Sequence, residues 1–199
     1  MGVFDLIKKI PTGSEIKGSF GEWLAKIYLK TYPRALILND VLIKGKDDYT
    51  SQIDLVMVGN RGIYVFEVKL YSEATIYGDL SKSKWTYYNH GKKYEIYSPV
   101  KQNKKHVEYM KEFLKDFGEL PVFSVVVMIC KDFKLSGKKE DNTYICSSLL
   151  ALDKAMFKIA QNNPRTISDE KKEEIFNHIK DNQLIGKEAR FEHKQNVKE

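Results

Sequence analysis

A β-hairpin is the strongest structural signal in this sequence. Two runs rich in apolar and β-branched residues, 52–58 and 63–71, are separated by a Gly-Asn-Arg-Gly turn. A two-residue turn and a four-residue loop give the same register, which places Asp54 opposite Glu67. Directly opposed residues share one face of a sheet, with their Cβ atoms about 5 Å apart. The sequence therefore predicts two neighbouring carboxylates on one face of the hairpin.

These two carboxylates lie among apolar neighbours, so their mutual repulsion has to be compensated. A divalent cation is the simplest solution, since Mg²⁺ takes one or two carboxylates and keeps positions for water and a phosphate oxygen. The same register pairs Gln52 with Lys69, and Lys69 on the face of Glu67 can balance charge or orient an attacking water. This set predicts metal-assisted phosphodiester hydrolysis. The alternative is an ion pair between a carboxylate and a lysine, buried at a sheet end.

The net charge of +6 is concentrated in one segment. Residues 82–105 contain only one acid, Glu95, and seven lysines: Lys82, Lys84, Lys92, Lys93, Lys101, Lys104 and Lys105. Trp85 and four tyrosines are interleaved with them. Lysines neutralise phosphates and flat side chains contact bases or sugars, so this segment predicts nucleic-acid binding. The alternative is a solvated hairpin whose aromatic residues pack inward.

The remaining hydrophobic pattern predicts an α/β fold, a mixed sheet flanked by helices. Strands are expected at 35–38, 41–43, 74–77, 84–88, 93–97, 122–129 and 142–146, and helices at 15–32, 99–117, 148–162 and 168–183. The first strand is expected to break near residues 39 and 40. The tail from residue 186 has few apolar residues and is expected to fray.

Several functional classes are excluded by what the sequence lacks. Its two cysteines, Cys130 and Cys146, and its four histidines do not have the spacing of a zinc site. It has no Walker loop and no dinucleotide-binding fingerprint. No stretch approaches the ~18 apolar residues that cross a bilayer, and no signal peptide is expected. We therefore expect a cytoplasmic protein with reduced thiols and no membrane partner.

A set of short motifs, taken together and in order, resembles the NERD (nuclease-related) domain. The motifs are Gly21-Glu22, Gln52-Ile53-Asp54, Gly62-Ile63-Tyr64-Val65-Phe66-Glu67-Val68-Lys69, Trp85, and Ser98-Pro99-Val100-Lys101-Gln102. The resemblance covers about residues 14–117. The family belongs to the PD-(D/E)xK nuclease superfamily, so the resemblance implies a restriction-endonuclease-like fold. The helices after the match are expected to be an addition to that fold.

The resemblance implies a metal site in the hairpin. Asp54 and Glu67 would bind Mg²⁺ or Mn²⁺ together with the backbone carbonyl of Val68, and Lys69 would be the catalytic lysine. The sequence departs from the superfamily name in one respect, because Ile53 and not proline precedes the aspartate. That variation leaves the expected chemistry intact.

Two further residues are assigned by the same resemblance. Glu22 would approach the metal or its water from the first helix, and Gln102 matches a position near the active site. His106 follows Gln102 by one helical turn on the same helix face.

The leading hypothesis is a metal-dependent nuclease that cuts DNA. It places the nuclease domain at residues 1–163 and a C-terminal helix with a polar tail at 164–199. One alternative keeps the fold without the reaction, as a nucleic-acid-binding or protein-interaction module. In another, the basic segment contacts an acidic protein. The choice between DNA and RNA, the form of the substrate, and a homodimer that supplies a second cut stay open.

Overall fold

The computed structural model of the chain describes residues 25, 26, 28–30, 32, 34–45 and 49–196. The predicted helix at 15–32 falls mostly outside these residues, although 25, 26, 28 and 29 are helical. Glu22 also lies outside the described residues, so its expected role in the site is not addressed by the structure.

Seven strands of the described region form one mixed sheet. They are β1 (Leu36–Lys44), β2 (Thr50–Gly59), β3 (Gly62–Asp79), β4 (Lys84–Asn89), β5 (Lys92–Tyr97), β6 (Val122–Ser136) and β7 (Thr143–Cys146). Neighbours from β1 to β5 are antiparallel, whereas β6 is parallel to both β3 and β7. The long strand β3 is therefore central, with β6 along one edge and first β2, then β4, along the other.

The hairpin of β2 and β3 has the predicted register, but its ladder is shorter than expected. Its five residue pairs end at the residues adjacent to Asp54 and Glu67. These two acids are therefore not ladder partners, contrary to the prediction, and neither are Gln52 and Lys69. Over this region β2 keeps β1 as its partner and β3 keeps β6. The sheet opens between β2 and β3 beside the two carboxylates.

Three predicted strand boundaries are wrong. β1 passes through Asp40 with an unbroken register, although this residue has a left-handed backbone conformation with φ of 56°. β3 continues to Asp79 and includes the predicted separate strand 74–77, because β6 pairs with it along almost its whole length. β6 itself extends to Ser136.

In the part of the chain that is described, one helix lies between β5 and β6 and three more follow β7. They are α1 (Pro99–Phe113), α2 (Leu149–Asn162), α3 (Asp169–Asn182) and α4 (Lys187–Asn196). Ser98, Ser148 and Ser168 cap the first three, each accepting a hydrogen bond from a backbone N–H three residues ahead. A separate 3-10 helix, Lys115–Phe117, ends the region predicted as one helix. The prediction that the tail from residue 186 frays is wrong, because residues 187–196 form the helix α4.

The helices cover both faces of the sheet, which confirms the predicted α/β, restriction-endonuclease-like fold. On one face α2 packs with Ala25 and Leu29 against β2, β3 and β6. On the other face α1 and α3 contribute Met110 and Ile179 to a second core over β1 and β2. No helix in the described ranges is long and apolar enough to cross a membrane.

The last helix contacts the sheet through Arg190 and His193, and Arg190 supplies the ion pair. Arg190 Nη1 lies 2.7 and 2.6 Å from the two carboxylate oxygens of Asp40 on β1, and Gln52 donates a hydrogen bond to the same carboxylate. Both side chains of the ion pair are about one-third exposed, 35% and 38%. This bidentate contact explains why a polar segment is helical and packed.

Replacing Arg190 with alanine is therefore expected to weaken the attachment of α4, which keeps the contact of His193 with Thr50, without unfolding the sheet. Because the pair is partly screened by solvent, the expected loss is about 1 kcal/mol of unfolding free energy. Hydrogen exchange measures this directly, as faster exchange of α4 amides than in the parent chain. The control is Glu188→Ala at an exposed position of the same helix, which should exchange as the parent does. Unchanged α4 protection in Arg190→Ala would contradict the assigned anchor.

Candidate active site

Asp54 lies where β2 and β3 separate. Its Oδ2 atom accepts a hydrogen bond of 2.7 Å from the backbone N–H of Val68. A side chain thus satisfies a backbone donor on β3 that the shortened β2 ladder no longer pairs. The contact fixes the Asp54 carboxylate next to the strand segment that carries Glu67 and Lys69.

Glu67 is completely buried, and its carboxylate lies between two potential cations. Its Oε1 atom is 2.5 Å from Lys69 Nζ, and its Oε2 atom is 3.3 Å from His106 Nε2. Neither carboxylate oxygen accepts a hydrogen bond of normal geometry. A buried carboxylate with unsatisfied lone pairs is costly, so this side chain has capacity for a further ligand.

Lys69 responds to both acids. Burial alone would lower the pKa of its ammonium group, but the nearby Glu67 and Asp54 carboxylates outweigh burial and raise it. Lys69 is therefore a stable cation whose head group faces both carboxylates. Its side chain is 30% exposed and therefore keeps some contact with solvent.

His106 connects the helix α1 to this cluster. Its Nδ1 atom is 2.6 Å from Ser51 Oγ on β2, while its Nε2 atom faces Glu67. The helix itself is held by the buried Asn103, whose Nδ2 atom donates to Val65 O and Ser124 Oγ, each at 2.9 Å. These contacts hold His106 in a defined orientation against the buried acid.

Gln102, expected near the site, does lie there. Its Nε2 atom is 3.5 Å from His106 Nε2, at the outer limit of a hydrogen bond, and both residues line one cleft. The cleft has a volume of about 830 Å³ and also exposes Asp54. The structure thus brings together Asp54, Glu67, Lys69, Gln102 and Val68 of the sequence-predicted site.

A second histidine in the cleft was not anticipated by the sequence. His193 on α4 also lines it, with its Nδ1 atom 2.7 Å from Thr50 Oγ1. Burial and the nearby His106 lower the pKa of His193, an effect that Thr50 opposes. No local sequence pattern relates Thr50 to His193, because 143 positions separate them.

The residues present fit a divalent cation only in part. In favour, Glu67 carries two buried oxygens without hydrogen bonds, and the second carboxylate, Asp54, lines the cleft together with His106, which contacts Glu67. No group of three or more histidine, cysteine, aspartate or glutamate side chains arranged for a metal is present among the described residues, which do not include Glu22. Two carboxylates and a carbonyl are the donor set that Mg²⁺ accepts alongside water.

The basic segment 82–105 divides between two places. Lys82 and Lys84 are on or beside β4 and pair with Asp79 and Glu95, at 3.6 and 3.5 Å. Exposed Lys92 and Lys93 begin β5 at the hairpin tip, whereas Lys101, Lys104 and Lys105 are on α1, the helix that carries His106.

Trp85 does not fit the predicted role of contacting nucleic acid. It is 1% exposed, packs on Phe133 with ring centroids 6.0 Å apart, and donates from Nε1 to Asp79 O at 2.9 Å. Nearby, Tyr87 stacks on Tyr94 with ring centroids 5.0 Å apart. The aromatic residues of the segment therefore pack partly inward, and Trp85 belongs to the core.

Comparison with known families identifies the domain that carries this cluster. A family model described as the nuclease-related domain, NERD, matches residues 17–129. The chain belongs to the NERD family. The match extends past the resembling motifs to include the whole buried part of β6, and it leaves α2, α3 and α4 outside. The NERD domain is placed in the PD-(D/E)xK superfamily, which confirms the assignment suggested by the motifs.

One curated relative is similar to this NERD chain. It is a Bacillus anthracis protein named only as uncharacterised, 29% identical over 135 residues. The alignment covers 62% of this chain and 62% of the relative, so the match spans less than two thirds of either. No solved structure matches the chain.

Proposed function

We propose that this NERD protein is a metal-dependent nuclease that hydrolyses phosphodiester bonds in DNA. The observation that carries the proposal is the fully buried Glu67 carboxylate, which lies against Lys69 without normal hydrogen bonds. Asp54 stands beside it at the opening of the sheet, hydrogen-bonded to Val68. A structural ion pair needs neither a second carboxylate nor a cleft, whereas metal-assisted phosphodiester hydrolysis uses carboxylates to hold the cation and a cleft to admit the substrate.

Each residue of the cluster has a proposed task. Asp54, Glu67 and the Val68 carbonyl would hold Mg²⁺ or Mn²⁺. Bound there, the cation supplies water activation and positive charge at the phosphate. Lys69 orients the attacking water or stabilises negative charge that develops on the phosphate, which its position between two carboxylates supports.

Two groups on α1 complete the proposed site. His106 positions Glu67, because it holds Ser51 through one ring nitrogen and faces the acid through the other. Gln102 lies one turn before it and faces the cleft, where its amide can contact water or a phosphate oxygen. We also retain Glu22 as a proposed contributor from the first helix.

The setting of the reaction is part of the proposal. The partner is nucleic acid, held by lysines of the segment 82–105. Cys130 and Cys146 are free thiols, as expected in the reducing cytoplasm. Residues 1–163 would form the nuclease domain, and 164–199 would complete it, since α3 packs into the core shared with β1 and β2.

The test is an incubation of the full chain with labelled linear, circular and single-stranded DNA. We expect cleavage with Mg²⁺ or Mn²⁺ and none with EDTA. Asp54→Asn should reduce the cleavage rate by about 10³-fold or more, since it removes a charged group from the reaction centre. Asp181→Asn, at an exposed position of α3, is the matched control and should cut at the parent rate.

Two results would overturn the proposal. Cleavage that survives in purified Asp54→Asn and Lys69→Ala would show that the reaction occurs elsewhere. Salt-dependent DNA binding without turnover in any divalent metal would favour the non-catalytic binding module instead.

A further inference from the structure

The candidate catalytic cleft continues into a second groove. This lysine groove lies between α1 and the connection from β6 to β7, and has a volume of about 450 Å³. Tyr97 and Lys105 line both the cleft and the groove. A chain that occupies the cleft therefore has a path over Tyr97 into the groove.

The groove is strongly positive. Five lysines line it, against two glutamates, for a net charge of +3: Lys101, Lys104, Lys105, Lys138 and Lys139, with Glu108 and Glu140. Lys104 is engaged with Glu140 at 2.9 Å. Within the described part of the chain, Lys105, Lys138 and Lys139 form no ion pair. Their charges are available to a ligand such as a phosphate backbone.

Tyr97 gives the junction an aromatic surface. The side chain is 46% exposed at the end of β5, directly before the turn into α1. Exposed aromatic rings alternating with cationic groups are typical of surfaces that hold single nucleic-acid strands, because every base offers a flat face for stacking. The groove thus combines the two components of such a surface, and through Tyr97 and Lys105 it adjoins the cleft that Asp54 lines.

The other half of the basic segment lacks this arrangement. Lys82 pairs with Asp79 at the end of β3, and Lys84 pairs with Glu95 on β5. Lys92 and Lys93, at the tip of the hairpin of β4 and β5, line neither the cleft nor the groove. Lys138 and Lys139, which lie far along the chain from the segment, take their place beside α1.

We propose that the lysine groove binds a single strand of nucleic acid that extends from the catalytic cleft. Lys105, Lys138 and Lys139 contact its phosphates, and Tyr97 stacks on one base. The proposal rests on the proposed function for the identity of the cleft, but it concerns binding and is measurable without turnover.

The experiment measures binding of a fluorescent 20-nucleotide single-stranded DNA to the full chain by anisotropy, in EDTA, over a range of salt concentrations. Lys138→Gln/Lys139→Gln should weaken binding about tenfold or more. It should also reduce the slope of log affinity against log salt by about 1.4, as expected for two phosphate contacts. The matched control, Lys154→Gln/Lys158→Gln on exposed positions of α2, should leave affinity and slope unchanged.

The aromatic contact is tested separately. Tyr97→Ala should weaken binding about tenfold with the parent salt slope, and Tyr97→Phe should restore most of the affinity, because stacking needs the ring and not the hydroxyl. If the groove only stabilised the fold, the lysine variant and Tyr97→Ala would not differ in the salt dependence of their binding.

Cleavage in Mg²⁺, measured in parallel, separates the two proposals. Groove variants that bind and cut like the parent would overturn only the groove proposal. A larger loss of single-strand affinity in Lys92→Gln/Lys93→Gln than in Lys138→Gln/Lys139→Gln would also overturn it. Binding with the expected groove dependence but without cleavage would support the groove and overturn the nuclease. A chain that binds an acidic peptide and no single-stranded DNA in EDTA would overturn the groove.

Discussion

Lys69→Ala is expected to abolish cleavage and also to lower the free energy of unfolding by about 2–3 kcal/mol. The stability loss arises because the completely buried Glu67 loses the ammonium group 2.5 Å from its Oε1 atom. Among the residues that the structure describes, His106 alone then places a side-chain nitrogen against this carboxylate. The expected cost is at the low end for a broken buried pair, since Lys69 itself is 30% exposed and the truncation admits water.

Substitution of the acid in this pair is expected to affect stability less than substitution of the lysine. Glu67→Gln should also reduce cleavage by about 10³-fold or more, but should change the free energy of unfolding by less than about 1 kcal/mol. It removes a buried negative charge, while Lys69 keeps the attraction of Asp54 and its access to solvent. The double variant Lys69→Ala/Glu67→Gln should recover most of the stability lost in Lys69→Ala and none of the activity.

Urea unfolding in EDTA measures these stabilities, and cleavage in Mg²⁺ measures the activities of the same preparations. The informative quantity is the coupling between the two substitutions, because residues in contact are not additive. Additive effects on stability would show that Glu67 and Lys69 do not compensate each other. Parent-level cleavage in Glu67→Gln would remove this acid from the reaction.

The register of the hairpin could be predicted because it depends only on the turn. Both turn lengths compatible with the Gly-Asn-Arg-Gly sequence give the pairing that the structure has near the turn. The prediction extended the ladder too far, since nothing in the local sequence says where β2 and β3 part. Beyond the point of separation β2 stays paired with β1 and β3 stays paired with β6, so each strand keeps a partner from outside the hairpin.

The contacts that complete the site could not be predicted either, because they also join residues that are far apart in the sequence. Ser51 and His106 are 55 positions apart, and Thr50 and His193 are 143 apart. Such contacts depend on how α1 and α4 pack on the sheet and have no periodic signature. His106 could be placed on the helix face of Gln102, but its partner Glu67 could not be derived from that spacing.

The sequence shows where lysines are concentrated along the chain, but it does not show which of them share a surface. The seven lysines of the segment 82–105 lie in one stretch of the sequence, yet a hairpin and a helix carry them to separate places. Lys138 and Lys139, outside the segment, join Lys105 in one groove because β6 runs parallel to β3 and returns the chain beside α1. Position along the chain alone does not locate a binding surface.

Trp85→Ala is expected to cost about 3–5 kcal/mol of unfolding free energy, the range for truncating a fully buried large aromatic residue. The ring packs on Phe133 and lies over Gly78, where an added Cβ would come within 3.1 Å of the indole. Its Nε1 donor also satisfies the Asp79 carbonyl, which the substitution leaves without that hydrogen bond. Urea unfolding of the variant should show this loss as a lower midpoint with an unchanged slope.

The sequence-based interpretation of Trp85 predicts a different result, so two controls decide between them. Tyr94→Ala removes an exposed ring of the same hairpin and should cost less than about 1 kcal/mol, since exposed side chains contribute little to the core. Trp85→Phe keeps an aromatic ring in the core and should recover much of the stability. If Trp85 instead stacked on bases, Trp85→Ala would retain parent stability and lose single-strand affinity at every salt concentration. The complete burial of the indole in this core argues for the loss of stability.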